Sequence, residues 1–194
     1  CKGRADLIHS WTSAFPLRAS VPVVQTVHEA PWLRGAAENA GPGHRLWARM
    51  GRPRAALVVT PSASVPAALG GHPKLRVVPW GVDDAFSPEH TEADTELRTV
   101  VPGLPEGPFV LCLGGTRAKK RLDLLLAGVA AMPQTVPVVC TGPVTPEARA
   151  LGLAHPQPVL TGVLEERLIP ALLRAAACPS IPSPSEGFGL PAPA

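Results

Sequence analysis

The chain has 194 residues, 45% of them hydrophobic, which is enough for one large or two small domains with a real core. A net charge of +3 does not demand a nucleic-acid partner, and no apolar run approaches the roughly 20 residues of a membrane span. The 25 prolines and 18 glycines stay short of the share, roughly 25–30%, that marks low-complexity chain.

The first half alternates between strand and helix signals. Apolar runs predict strands over Ala5–His9, Val21–Val27, Ala55–Thr60 and Leu75–Pro79. Arg45–Met50 reads as helical, closed by Gly51 and Pro53, and Ser62 is placed to cap a short helix running to Leu69. Residues 84–108 are acidic and proline-rich without periodicity, so they read as a linker with at most one short helix. Strands follow at Phe109–Leu113, Val136–Thr141, Val159–Thr161 and Ala177–Ile181. Between them lie three helices. The first presents Leu122, Leu125, Leu126 and Val129 at i, i+3, i+4 and i+7, a single apolar face. The others span Pro146–Leu153 and Glu165–Ala177, with Pro170 near the first turn of the last, where its missing N–H costs least. Alternation of this kind implies α/β architecture with parallel sheets covered on both faces. Ligands then belong at the carboxyl ends of strands.

The four cysteines, Cys1, Cys112, Cys140 and Cys178, show no Cys-x-x-Cys spacing, and three lie in strand-like runs. They read as buried thiols of a reducing compartment, which places the chain in the cytoplasm. The chain opens on Cys1 without a methionine or a signal peptide, so a native N-terminus is expected upstream.

Loop 114–121, Gly-Gly-Thr-Arg-Ala-Lys-Lys-Arg, joins a strand end to a helix start and concentrates positive charge. A diphosphate needs two or three cations with backbone amides in reach; the alternatives are a solvated charge run or weak nucleic-acid contact. No aromatic residue interleaves with these cations, which argues against single-strand binding. His28 ends an apolar strand and is followed by Glu29; it is either a structural histidine or a site residue. The remaining histidines show no zinc spacing, so no metal is expected. Neither a Gly-x-Ser-x-Gly elbow nor a Walker loop occurs. At the chain's end, Glu186-Gly187-Phe188-Gly189-Leu190-Pro191 sets a carboxylate beside a Gly-x-Gly turn. Missing Cβ atoms let backbone amides approach a ligand, and a helix starting near Leu190 would aim its N–H groups at it. Glu186 is a ligand carboxylate in this reading and a solvated loop residue in the alternative.

Together these segments resemble the retaining glycosyltransferases of the GT-B fold, family 4, over nearly the whole chain. The most specific stretches are Lys74-Leu75-Arg76-Val77-Val78-Pro79-Trp80-Gly81-Val82-Asp83, with Phe86 and Pro88, and Pro184-Ser185-Glu186-Gly187-Phe188-Gly189-Leu190-Pro191. Less specific are Thr26-Val27-His28-Glu29, the Lys119-Lys120 loop, Thr161-Gly162-Val163-Leu164 and Leu168–Ala176.

The resemblance implies two Rossmann-like domains, both incomplete. Residues 1–88 would be the C-terminal portion of the acceptor domain, 89–108 the interdomain linker, and 109–194 the N-terminal portion of the donor domain. It further implies transfer of a sugar from a nucleoside diphosphate sugar to a carbohydrate or lipid-linked acceptor, with retention, no cofactor, and peripheral contact at the inner membrane face. Lys120 and Lys119, with Gly115 and Arg117, would hold the diphosphate. Glu186, Gly187, Phe188, Gly189 and Leu190 would hold the donor sugar, and Gly162 and Val163 would line the base pocket. His28 and Glu186 would be the catalytic pair. Asn is usual where Trp80 stands, and three departures accompany the match. Ala194 falls where a second, ribose-gripping carboxylate is usual, Arg117 has to replace an arginine usually placed a few residues before Lys120, and the family's opening Gly-rich loop and its returning C-terminal helices are expected outside these residues. The 194 residues alone are expected to show little or no transfer, because half of the acceptor domain's ligand loops would lie outside them. The rival readings are a non-catalytic nucleotide-sugar-binding module and an epimerase-like or phosphorylase-like relative.

Overall fold

The computed structural model describes residues 5–12, 15–16, 18–29, 46, 50–51, 53–68, 73–114, 120–152, 157–184, 186 and 188–189. They form two compact units, one of residues 1–81 with 185–188, the other of 82–184 with 189–194.

The first unit holds β1 (Ile8–Ser10), β2 (Val23–Thr26), β3 (Leu57–Thr60) and β4 (Leu75–Val77), all parallel and in sequence order. A short helix, α1 (Ser64–Ala68), follows β3, and Ser62 Oγ lies 2.7 Å from Ser64 Oγ at its start. Val23, Val27, Ala55, Val58 and Val65 pack with Phe15 into this unit's core. The helix expected to close at Gly51 instead continues, since Gly51, Pro53 and Arg54 are helical and Ala55 N–H donates to Gly51 O at 3.0 Å. The glycine serves packing rather than termination. A Cβ there would stand 2.5 Å from Phe15 Cβ.

In the second unit, β5 (Val110–Leu113), β6 (Val138–Thr141), β7 (Val159–Gly162) and β8 (Cys178–Ser180) form a parallel sheet in the order β7-β6-β5-β8. Its helices are α2 (Glu92–Val100), α3 (Leu122–Ala130), α4 (Pro146–Gly152) and α5 (Ile169–Ala175), the last led in by a 3-10 turn at Glu166–Leu168. Successive strand residues face opposite ways, and the two faces are filled accordingly. Leu111 and Val139 meet Leu97, Leu168, Ala171 and Leu172 on one face. Cys112, Val138 and Cys140 meet Leu122, Leu126 and Val129 on the other. Cys112 and Cys140 are buried thiols, but Cys178, expected buried, is exposed because β8 is an edge strand.

Residues 89–108, expected as a linker, carry α2, and its Leu97 with Val101 and Leu104 belongs to the second core. Arg174 of α5 ties the segment down. It donates to Asp94 Oδ2 at 2.7 Å and Oδ1 at 3.0 Å, and to Ser87 O at 3.0 Å. Thr91 N–H donates to Asp94 at 2.8 Å, half of a capping box at the start of α2. Only Leu97 is fully buried on α2, which is why no periodicity announced it. Among the described residues no helix is long and apolar enough to cross a membrane.

Candidate functional site

Strand order in the second sheet reverses once. The chain steps outward from β5 to β6 to β7 and then returns to lay β8 against β5, with Cys112 opposite Ser180. In parallel sheets the crevice at such a reversal, outside the carboxyl ends, is where ligands bind. The segments that leave this point are loop 114–121 after β5 and residues 181–184 after β8. Of that loop Gly114, Lys120 and Arg121 are described, and Gly114 ends β5 at this point.

Three strand ends beside this point are glycines with positive φ: Gly114 (63°), Gly142 (124°) and Gly162 (74°). Gly142 N–H donates to Gly162 O at 2.9 Å, and the same carbonyl accepts from Thr141 Oγ1 at 3.1 Å and Thr161 Oγ1 at 3.0 Å. A Cβ on Gly142 would lie 3.1 Å from Gly114 Cα, so these backbones touch, while at Gly114 and Gly162 the Cβ position is open. The result is an edge of bare backbone with strand ends locked together, which a flat base or a phosphate can approach closely. Of the base-pocket residues expected here, Gly162 lies on this edge, and the Val163 side chain is 74% exposed.

Lys120 is half-buried just before α3. The Cys140 thiol hydrogen-bonded beside Cys112 holds the Cys112 thiol below its ordinary value, against the burial that raises it, and the Lys120 charge adds to the lowering. Arg121 takes left-handed backbone (φ 51°), and its guanidinium donates to both oxygens of Asp123 at 2.9–3.2 Å. The pair lowers the Asp123 carboxyl and raises Arg121. Arg121 is thus committed to the first turn of α3. Gly115, Arg117 and Lys119 lie outside the described residues, as do Gly187, Leu190 and Ala194.

In the first unit, His28 stands two residues beyond β2. Its Nε2–H donates to Trp11 O at 2.5 Å, and Nδ1 is buried without a hydrogen-bond partner among the described residues. Leaving a buried polar atom unmatched costs about 1–3 kcal/mol, a tension that structural histidines do not usually keep. The imidazole lies 5.1 Å from the Trp80 ring, which lies 5.5 Å from Phe188. Glu186 is half-buried, and residues 185–188 pack with the first unit. The structure thus gathers His28 with Phe188, and separately Lys120 with the sheet that carries Gly162.

Sequence reading missed Gly142 and Trp11, and met Trp80 only as a replacement for the family's usual Asn. The signal for Gly142 was present, since Leu113-Gly114, Thr141-Gly142 and Thr161-Gly162 repeat one pattern of apolar run followed by glycine. Trp11 had no local signal, because only the strand order brings its carbonyl to His28.

No protein-family model matches the chain, and no curated protein matches it. Solved structures do. Sucrose-phosphate synthase of Thermosynechococcus elongatus aligns over 95% of this chain and 52% of its own, with a TM-score of 0.74 and 19% identity. HepE of Anabaena, in complex with UDP and glucose, aligns over 95% of this chain and 55% of its own, at 0.69 and 19%. WaaG, a glycosyltransferase involved in lipopolysaccharide biosynthesis, covers 96% and 55%, at 0.69 and 14%. The fold is of the GT-B type. The chain spans about half the length of these GT-B structures, and identities this low speak for the fold alone.

Proposed function

We propose that the protein is a glycosyltransferase that moves a sugar from a nucleoside diphosphate sugar to a carbohydrate or lipid-linked acceptor with retention of configuration. One observation carries the reading: the basic loop 114–121 leaves β5 at the single reversal of strand order, beside an edge of bare glycine backbone. The shared fold with HepE, a protein solved with UDP and glucose, supports it.

In this reading Lys120, with Lys119, Arg117 and Gly115, neutralises the diphosphate, and the edge at Gly162 and Val163 receives the base. Glu186 with Gly187, Phe188, Gly189 and Leu190 holds the donor sugar, and His28 orients the transferred ring. As the bond from the anomeric carbon to the diphosphate breaks, the sugar gains oxocarbenium character. The acceptor hydroxyl attacks from the same face and gives its proton to the departing phosphate oxygen. Fixed cations and backbone amides aimed at the developing diphosphate charge lower the barrier by electrostatic preorganisation. The same reading sets the reaction in the cytoplasm, with peripheral membrane contact where the acceptor is lipid-linked.

Calorimetry with UDP, ADP and GDP tests the donor site. One of them should bind, and Lys120→Ala should weaken it by about 1.5–3 kcal/mol, the scale of a charge-assisted contact. Unchanged affinity removes Lys120 from the site. Product NMR on a chain extended to the full GT-B length should find the anomeric configuration of the donor; inversion overturns the retaining mechanism, and binding without turnover by that longer chain favours a non-catalytic module.

A further inference from the structure

Two thiols lie buried beneath the glycine edge of the second sheet and serve nothing in the sugar chemistry. Cys112 of β5 and Cys140 of β6 are direct register partners in a parallel pair, two residues before Gly114 and Gly142. Both side chains therefore point to the same face. There they pack with Leu122, Leu126 and Val129, and the Cys140 thiol hydrogen-bonds to the Cys112 sulfur. Neighbouring strands lie about 4.8 Å apart, inside the roughly 4.4–6.8 Å between Cα atoms that a disulfide spans. Cys178 shares this face but is registered against Val110 rather than Cys112. Two residues along and one strand across is about 8 Å, beyond the roughly 7 Å limit of a disulfide. The fold thus selects one pair from three cysteines.

Charge and cover set the chemistry of that pair. The Lys120 charge acts on Cys112, and a cation beside a thiol favours the thiolate, which is the nucleophile. Cover comes from α3, whose first residue, Leu122, packs on the two sulfurs. That turn begins in strain. Arg121 holds left-handed backbone at φ 51°, unfavourable for any residue with a Cβ, and among the described residues no side-chain bond caps the helix. Helix ends open locally far more readily than the sheet beneath them, so a small oxidant reaches Cys112 without global unfolding. In a reducing compartment such a pair persists as two thiols until an oxidant arrives.

We propose that Cys112 and Cys140 form a site of reversible oxidation by a peroxide, with Cys112 as the attacking sulfur, Cys140 as the resolving one and Lys120 as the cation beside the attacking thiolate. The Cys112 thiol gives up its proton, and its sulfur attacks one oxygen of hydrogen peroxide. The O–O bond breaks, Cys112 is oxidised to the sulfenic acid, and the second oxygen takes the released proton and leaves as water. The Cys140 sulfur then attacks Cys112 Sγ. The S–O bond breaks, the departing oxygen takes the Cys140 proton, and a second water leaves. Two thiols and one peroxide thus give one disulfide and two waters. The bond ties β5 to β6 below Gly114 and Gly142, and exchange with an external dithiol restores both thiols.

The experiment uses the 194-residue chain carrying Cys1→Ser and Cys178→Ser, so that only the pair remains; its circular dichroism should match the parent. The folded chain is treated with hydrogen peroxide, then unfolded in an alkylating reagent, digested and read by mass spectrometry. The expected product is a peptide pair joined through Cys112 and Cys140, two hydrogens lighter than the dithiol form and split again by dithiothreitol. Adding Cys140→Ala should leave Cys112 as a sulfenic acid that dimedone traps. Adding Lys120→Ala should slow the loss of the Cys112 thiol fivefold or more. Thiols that stay fully alkylatable, or that pass to sulfonic acid without linking, overturn the dithiol site. Equal dimedone labelling of Cys140 in a Cys112→Ala chain overturns the choice of attacking sulfur, and an unchanged rate for Lys120→Ala overturns the part given to that cation. None of these readouts involves a nucleotide or a sugar, so their failure is distinct from failure of the glycosyltransferase reading.

Discussion

Alanine at Gly142 probes the closure of the glycine edge in the second sheet. Gly142 has φ 124°, and a Cβ there stands 3.1 Å from Gly114 Cα. Two costs combine. The backbone conformation disfavours any L side chain by about 1–3 kcal/mol. The contact is with backbone, which cannot rotate away, so a shift of the overpacking kind adds about 1–3 kcal/mol. Relaxation shares part of both, and the expected loss is about 2–4 kcal/mol. At a urea m-value of about 2 kcal/mol/M this lowers the midpoint by about 1–2 M. All four tryptophans, Trp11, Trp32, Trp47 and Trp80, precede residue 82, so their fluorescence follows the first unit. Far-UV circular dichroism or hydrogen exchange must follow the second. Two controls come from the same unit. Gly114→Ala meets open space at φ 63°, and only the left-handed conformation costs it, about 1–2 kcal/mol. Gly128→Ala, inside α3 with nothing within 4 Å of the new methyl, should stabilise by about 0.5–1 kcal/mol. A Gly142→Ala variant as stable as Gly114→Ala would refute the backbone-to-backbone closure on which the glycine edge rests.

Three further outcomes test the second unit. Arg174, 9% exposed against Asp94 at 19%, should destabilise by about 2–4 kcal/mol when replaced by Ala, because a largely buried carboxylate loses its cation; urea unfolding of Arg174→Ala and of the double variant Arg174→Ala/Asp94→Ala separates the pair from lost packing. The guanidinium hydrogen-bonded to Asp94 holds its carboxyl well below the usual carboxylate range, with Thr91 adding to the lowering and burial opposing it. A depressed folded pKa stabilises above the unfolded value of about 3.9, and that stability is lost as pH falls below it, so Asp94→Asn should flatten the acid limb of a stability-versus-pH curve. Leu97→Ala should cost about 2–5 kcal/mol; a loss under about 0.5 kcal/mol, the surface level, would return residues 89–108 to the status of a linker.

Much of the fold was legible because its signals are local. Every predicted strand formed within a few residues of its apolar run, and the i, i+3, i+4, i+7 face of α3 buries Leu122, Leu126 and Val129 while Leu125 packs at its margin. The basic loop was legible as well, since its charge and its position between β5 and α3 are both written in sequence. The role of α2 was not. Its single buried leucine and acidic surface look like linker, and only Arg174, eighty residues on from Asp94, reveals that the segment belongs to the second core.

Sequence by itself determined the alternation of strands and helices, the parallel sheets and the glycines that end the strands, because propensity, periodicity and positive φ are properties of short stretches. Tertiary structure decided the rest. The return of β8 to the side of β5 puts the carboxyl end of β5, at Gly114, where the strand order reverses, and parallel pairing of β1 through β4 brings His28 to the Trp11 carbonyl and the Trp80 ring. Both depend on contacts between residues far apart in the chain, which no local pattern encodes.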